Sequence, residues 1–173
     1  MTQFSEFDLE EAIWDDYKSN NGSSLFKRGL AIQPVMKRQL KIGEYGTADL
    51  VGFDADCDSR EWNTLVATVY ELKKGTIDLD AIIQGFRYTK GMSLLFRIPI
   101  EMVRLVIIGS RISIKGNSVY LLDRLINMDV YTVTLDIDGI IFKKEDIDYR
   151  LMHGGCVEKT LSFGDYRKML SHP

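Results

Sequence analysis

The chain has 173 residues, enough for one domain with a sizeable core and short for two. Its 45% hydrophobic and 10% aromatic content excludes wholesale disorder. Twenty-two Lys and Arg against 25 Asp and Glu leave a net charge of −3, which excludes a uniformly basic coat but not local basic stretches.

The first predicted element is a helix over about residues 6–18, opened by a capping box at Ser5-Glu6-Phe7-Asp8. Leu9, Ala12, Ile13, Trp14 and Tyr17 share one broad arc of it. Glu6 and Glu10 fall inside that arc, where a carboxylate is costly unless something pairs with it. Asn20 to Ser24 reads as a loop. Pro34 to Ile42 and Thr47 to Phe53 read as two strands of a hairpin, joined across Gly43-Glu44-Tyr45-Gly46. Thr64 to Leu72 is rich in β-branched residues and suits a central strand. A helix follows from Asp78 to about Leu95, with Ile82, Ile83 and Phe86 expected to face the core and Ala81, Gln84 and Tyr88 to lie on the other side. Val103 to Ile108 is a further buried strand, Val119 to Met128 a helix, and Val130 to Phe142 a final hairpin or long strand. The order α-β-β-β-α-β-α-β predicts one α/β domain, a central mixed sheet flanked by helices.

The start MTQFSEFDLEEAIWDDY is acidic, unlike a secretory signal, and no apolar run approaches the ~20 residues of a membrane helix. Cys57 and Cys156 form neither a CxxC pair nor a disulfide framework and are expected as reduced thiols. His153 and Cys156 lack the further ligands a metal site would need. A cytoplasmic protein is expected.

Charge alternates along the chain. Residues 1–18 carry six acids and one base, residues 25–45 five bases and one acid, residues 46–69 five acids and one base, and residues 70–115 eight bases and four acids. Two basic stretches thus flank an acidic one, a pattern suited to metal-assisted work on a polyanion.

Within that pattern Asp49, Glu71 and Lys73 stand out. Side chains alternate along a strand, so Glu71 and Lys73 project to the same side, with Leu72 turned to the opposite layer and its carbonyl still available. Should the two strands pair, Asp49 and Glu71 converge. Two carboxylates and the Leu72 carbonyl are hard oxygen donors of the kind Mg2+ or Mn2+ prefers. Lys73 would orient a water or accept its proton. Gln84, four residues from Tyr88, follows on the next helix, and Arg87 and Tyr88 could meet a phosphate backbone.

With these residues the chain resembles the PD-(D/E)XK nuclease superfamily, the restriction-endonuclease-like fold. The segments SEFDLEEAI, MKRQLKIGEYGTADLVGFD, VYELKKG and IIQGFRY look most like the branch of mismatch- and branched-DNA-directed endonucleases. Ala48 stands where the motif's name has Pro. The resemblance covers about residues 5–110, an α-β-β-β-α-β core, and leaves about 116–173 as a C-terminal α/β extension. It implies a metal-dependent endo- or exodeoxyribonuclease using Mg2+ or Mn2+, acting in DNA repair, restriction or phage DNA processing. Asp49, Glu71, Lys73 and Gln84 would be catalytic, with Glu10, or alternatively Glu6, as the helix acid. Arg38, Gln39, Arg87, Tyr88 and Lys90 would contact DNA. A different class is a catalytically inactive module of the same fold that binds nucleic acid or a protein partner. A homodimer is expected, because one site addresses one strand and the extension is free for assembly.

Overall fold

Ser5 caps the first helix, α1 (Glu6–Asn20), as its sequence predicts. The Ser5 hydroxyl accepts the Asp8 N–H at 3.1 Å, and the Asp8 carboxylate accepts the Ser5 N–H at 2.9 Å. The structure, a computed structural model, describes residues 5–56, 64–112, 127–137 and 139–145. A short helix, α2 (Ser23–Lys27), starts within the last two residues of the expected Asn20 to Ser24 loop. Its cause is a distant cap, since Asp16 Oδ2 accepts the Leu25 N–H at 3.1 Å.

The strands follow in turn. β1 (Val35–Lys41) and β2 (Thr47–Asp56) form the expected hairpin, and β3 (Thr64–Leu72) is the expected central strand. After a two-residue strand, β4 (Thr76–Ile77), Asp78 caps helix α3 (Leu79–Phe96) by accepting the Ala81 N–H at 3.0 Å. β5 (Val103–Gly109), the short β6 (Arg111–Ile112), β7 (Asn127–Asp136) and β8 (Gly139–Glu145) complete the order. One six-stranded sheet runs β1-β2-β3-β5-β7-β8, with β3, β5 and β7 parallel and the outer pairs antiparallel. The expected α/β class with a mixed central sheet is what the chain adopts. Residues 119–126 of the expected third helix, Cys57, Cys156, His153 and most of the C-terminal extension lie outside the described residues. Asn127 and Met128, expected as the end of that helix, open β7 instead. No helix among the described residues is long and apolar enough to cross a membrane.

Two apolar layers sandwich the sheet. On one face Leu9 and Ile13 of α1 and Leu25 of α2 pack on Met36, Leu50, Tyr70, Leu72 and Ile108. On the other, Ala81, Ile82, Tyr88 and Met92 of α3 pack on Val51, Val69, Leu105 and Ile107.

The face α3 presents differs in part from the sequence expectation: Ile82 is buried and Phe86 packs on the core as expected, but Ile83 does not. Ala81, Gly85, Tyr88 and Met92 are buried, whereas Ile83 is half exposed. The reason is close approach: a Cβ at Gly85 would fall 2.6 Å from the Leu105 side chain, so the helix seats itself on its small residues. Bulky Ile83 is thereby turned outward.

Candidate active site

The β2–β3 ladder runs in register from Asp56–Thr64 to Leu50–Tyr70 and ends there. The next pair in that register would be Asp49 with Glu71. Instead of a ladder bond, Asp49 Oδ2 accepts the Leu72 N–H at 2.9 Å. The two strands part where the two carboxylates sit, opening the sheet at their position.

Glu71 is buried, with only 1% of it exposed. Its Oε1 lies 2.7 Å from Lys73 Nζ, while its Oε2 has no hydrogen-bond partner among the described residues. Burial pushes the Glu71 carboxyl up to about 7, against the opposing pull of Lys73, and Asp49 and Glu6 push the same way. Burial also raises Asp49, although the Leu72 N–H favours its charged form. Burial works against a charged Lys73, yet the Glu71 hydrogen bond and the surrounding carboxylates hold its ammonium above its ordinary pKa.

Lys73 is gripped from the other side by α3. Its Nζ donates to Gln84 Oε1 at 3.0 Å, and Gln84 Nε2 donates to the Tyr88 hydroxyl at 2.9 Å. The ammonium, a donor only, fixes the amide oxygen towards Lys73, and the tyrosine hydroxyl, able to accept, takes the amide nitrogen. Tyr88 itself is 4% exposed, with its ring so near Gly46 that a Cβ there would come within 2.9 Å. Tyr88, expected at a phosphate, thus lies on the buried face of α3 with its hydroxyl accepting from Gln84.

The two helix acids divide. Glu10 is 6% exposed and enclosed, with Oε1 bonded to Arg38 Nε and Oε2 accepting from Gln39 Nε2 at 2.6 Å. This is the pairing that a carboxylate in an apolar arc requires. Arg38 also lies 5.4 Å from the Phe7 ring. Glu6 is exposed and accepts the Lys74 N–H at 3.1 Å. Its charge is felt at Asp49, Glu71 and Lys73, and that of Glu10 at Asp49. Arg38 and Gln39, expected on DNA, spend these contacts on Glu10, while Arg87 and Lys90 are exposed on α3. The reach of Glu6 to the backbone just past β3 has no signature in the sequence, since its partner is a peptide N–H 68 positions away.

Among the described residues no three His, Cys, Asp or Glu side chains are gathered as a metal cage. A divalent cation here would rest on Asp49 and Glu71, with peptide carbonyls and waters for the remainder. The unpartnered Glu71 Oε2 fits that role: a buried anionic oxygen without a donor is what a cation satisfies.

No family model and no curated protein matches the chain. Two solved structures do. A repair endonuclease from Pyrococcus abyssi aligns over 76% of this chain and 49% of its own, at 20% identity and a TM-score of 0.47. An EndoMS–dsDNA complex aligns over 76% of this chain and 47% of its own, at 18% identity and a TM-score of 0.45. The chain spans about half the length of each.

Proposed function

We propose that the protein is a divalent-cation-dependent deoxyribonuclease that hydrolyses phosphodiester bonds. The observation that carries this reading is the pairing of two burial-raised carboxylates, Asp49 and Glu71, at the parting of β2 and β3, beside a lysine held by Gln84. Burying like charges together costs stability, and a fold gains nothing from that unless a cation and a reacting group use them.

Asp49 and Glu71 would hold Mg2+ or Mn2+, which when bound withdraws charge from a phosphate and makes a nearby water more acidic. Lys73 keeps its proton at Nζ, because the carboxylates around it favour the ammonium. It thus serves as a donor that orients the attacking water or a phosphate oxygen, with Gln84 limiting where Nζ can go. Glu6 adds negative charge at the rim of the site and Glu10 secures α1 to β1. Exposed Arg87 and Lys90 on α3 supply cations for a polyanionic strand.

The deciding experiment is cleavage of supercoiled plasmid and of single-stranded and branched DNA with Mg2+ or Mn2+, with and without a chelator. Cation-dependent cutting that disappears in Asp49→Asn and Glu71→Gln supports the reading. Salt-sensitive DNA binding with no cutting under any cation would instead establish a binding module, and cutting by both variants would remove the two carboxylates from the chemistry.

A further inference from the structure

Gln39 occupies the middle of strand β1 with φ at +51°, a left-handed conformation that an L side chain seldom takes inside a strand. Three observations meet at this residue. The β1–β2 register pairs Arg38 with Leu50 and Leu40 with Ala48 but skips Gln39 and Asp49, the pair between them. Successive strand side chains point to opposite faces. Yet Arg38 and Gln39, adjacent in sequence, both reach the Glu10 carboxylate. Finally, the alternation of both strands is broken there. Met36 and Leu50 pack under α1, whereas Leu40 and Ala48 pack on the α3 side, although two and four residues are even steps.

We infer that Gln39 is a positioning residue whose left-handed turn, secured by its amide on Glu10, releases Asp49 from the β1 ladder and sets the aim of the Asp49 carboxylate. A regular β1 would pair residue 39 with residue 49 and carry the strand alternation straight through the site. The left-handed residue interrupts the ladder at that step, and Asp49 is left to take the Leu72 N–H. Glu10 makes the turn worth keeping, since it anchors both side chains that the turn brings to one face.

The inference rests on the reading of Asp49 as a cation ligand, and its test separates the two. Mn2+ binding to the full chain is measured by electron paramagnetic resonance without DNA, and amide hydrogen exchange is measured without metal, for wild type, Gln39→Gly, Gln39→Val and Asp49→Asn. Gln39→Gly accepts a positive φ but removes the amide from Glu10, whereas Gln39→Val favours an extended strand and restoration of the ladder. The expected result is Mn2+ affinity weakened about 10- to 100-fold in both Gln39 variants. Gln39→Val should also lose exchange protection at Leu72 and gain it in β1 and β2 around residue 49. Affinity within twofold of wild type in both Gln39 variants, with binding abolished in Asp49→Asn, would overturn the inference and leave the ligand assignment standing. Absence of Mn2+ binding in wild type would sink the ligand assignment, and Leu72 protection in Gln39→Val would then decide the positioning role. If Gln39→Val does not fold, Gln39→Gly carries the affinity comparison.

Discussion

Lys73 Nζ sits 2.7 Å from Glu71 Oε1, while Glu71 Oε2 is buried without a partner among the described residues. One oxygen is thus compensated and the other is not, and this asymmetry makes the site sensitive to pH. Burial raises the Glu71 carboxyl from 4.5 to about 7, so the folded chain holds its proton more tightly than the unfolded chain does. Below about pH 4.5 both states are protonated and Glu71 costs nothing. As pH rises towards 7 the unfolded chain releases its proton first, so stability falls, and the full cost is present above about pH 7.

Glu71→Gln should therefore melt higher than wild type at pH 8 and close to it at pH 5. The upper bound on the gain is about 3 kcal/mol. Thermal melts across this range, without divalent metal, provide the check. A variant that melts lower at pH 8 would show that the Lys73 ion pair outweighs burial.

Asp49 tests a different bond. Asparagine retains an oxygen for the Leu72 N–H, so Asp49→Asn should fold with near-native stability. Asp49→Ala leaves that N–H without its acceptor at a cost of about 1–3 kcal/mol. Both variants should cut about a hundredfold more slowly or worse in the presence of the cation, since a missing ligand forfeits several kcal/mol of charge stabilisation. Equal stabilities of the two variants would mean that the Asp49–Leu72 bond contributes nothing.

Arg38 and the α3 cations should separate in a salt titration of DNA binding. Arg87→Ala and Lys90→Ala, each removing an exposed cation, should flatten the log–log salt dependence by about 0.9 for each phosphate that is no longer neutralised. Arg38→Ala should leave the slope nearly unchanged and lower the melting temperature instead. It strands the buried Glu10 carboxylate, for which breaking a buried pair costs about 3–5 kcal/mol, less here because Arg38 is a quarter exposed. A flattened slope with an unchanged melting temperature would return Arg38 to the DNA surface.

Local rules made much of this architecture legible. The Ser5 capping box, the β-branched run from Thr64 to Leu72 and the turn at Gly43 to Gly46 are each set by neighbours within a few residues, and each stands where expected. The adjoining register positions of Asp49 and Glu71 followed from strand pairing alone. What composition could not supply was the meeting of distant elements. Whether Glu6 or Glu10 turns to the site depends on Arg38 and Gln39, and Gln39 adopts a backbone conformation that no propensity assigns to it. The orientation of α3 escaped the sequence for a related reason. A helical wheel ranks residues by hydrophobicity, whereas Gly85 won the sheet-facing side by being small enough to sit against Leu105, and Ala81 is buried with it.

The two α1 carboxylates, left as alternatives by sequence, should now part under the same substitution. Glu10 is enclosed by Arg38 and Gln39, so Glu10→Gln weakens a charge-assisted bond and should lower the melting temperature by an amount worth about 1–3 kcal/mol. Glu6 is exposed, and Gln retains an oxygen for the Lys74 N–H, so Glu6→Gln should leave stability nearly unaltered. Its charge, however, raises both Asp49 and Glu71, whereas that of Glu10 raises Asp49, there ahead of Glu6. Removing Glu6 thus eases the ionisation of both carboxylates, and removing Glu10 that of Asp49. The rise of cutting activity with pH should therefore shift to lower pH in Glu6→Gln, while a role of Glu6 in holding a cation would add a higher cation requirement. Cleavage rates from about pH 5.5 to 8.5 at several Mg2+ concentrations distinguish these effects. An unmoved pH profile in Glu6→Gln, together with a shifted one in a stably folded Glu10→Gln, would reverse the assignment and make Glu10 the carboxylate that governs the site.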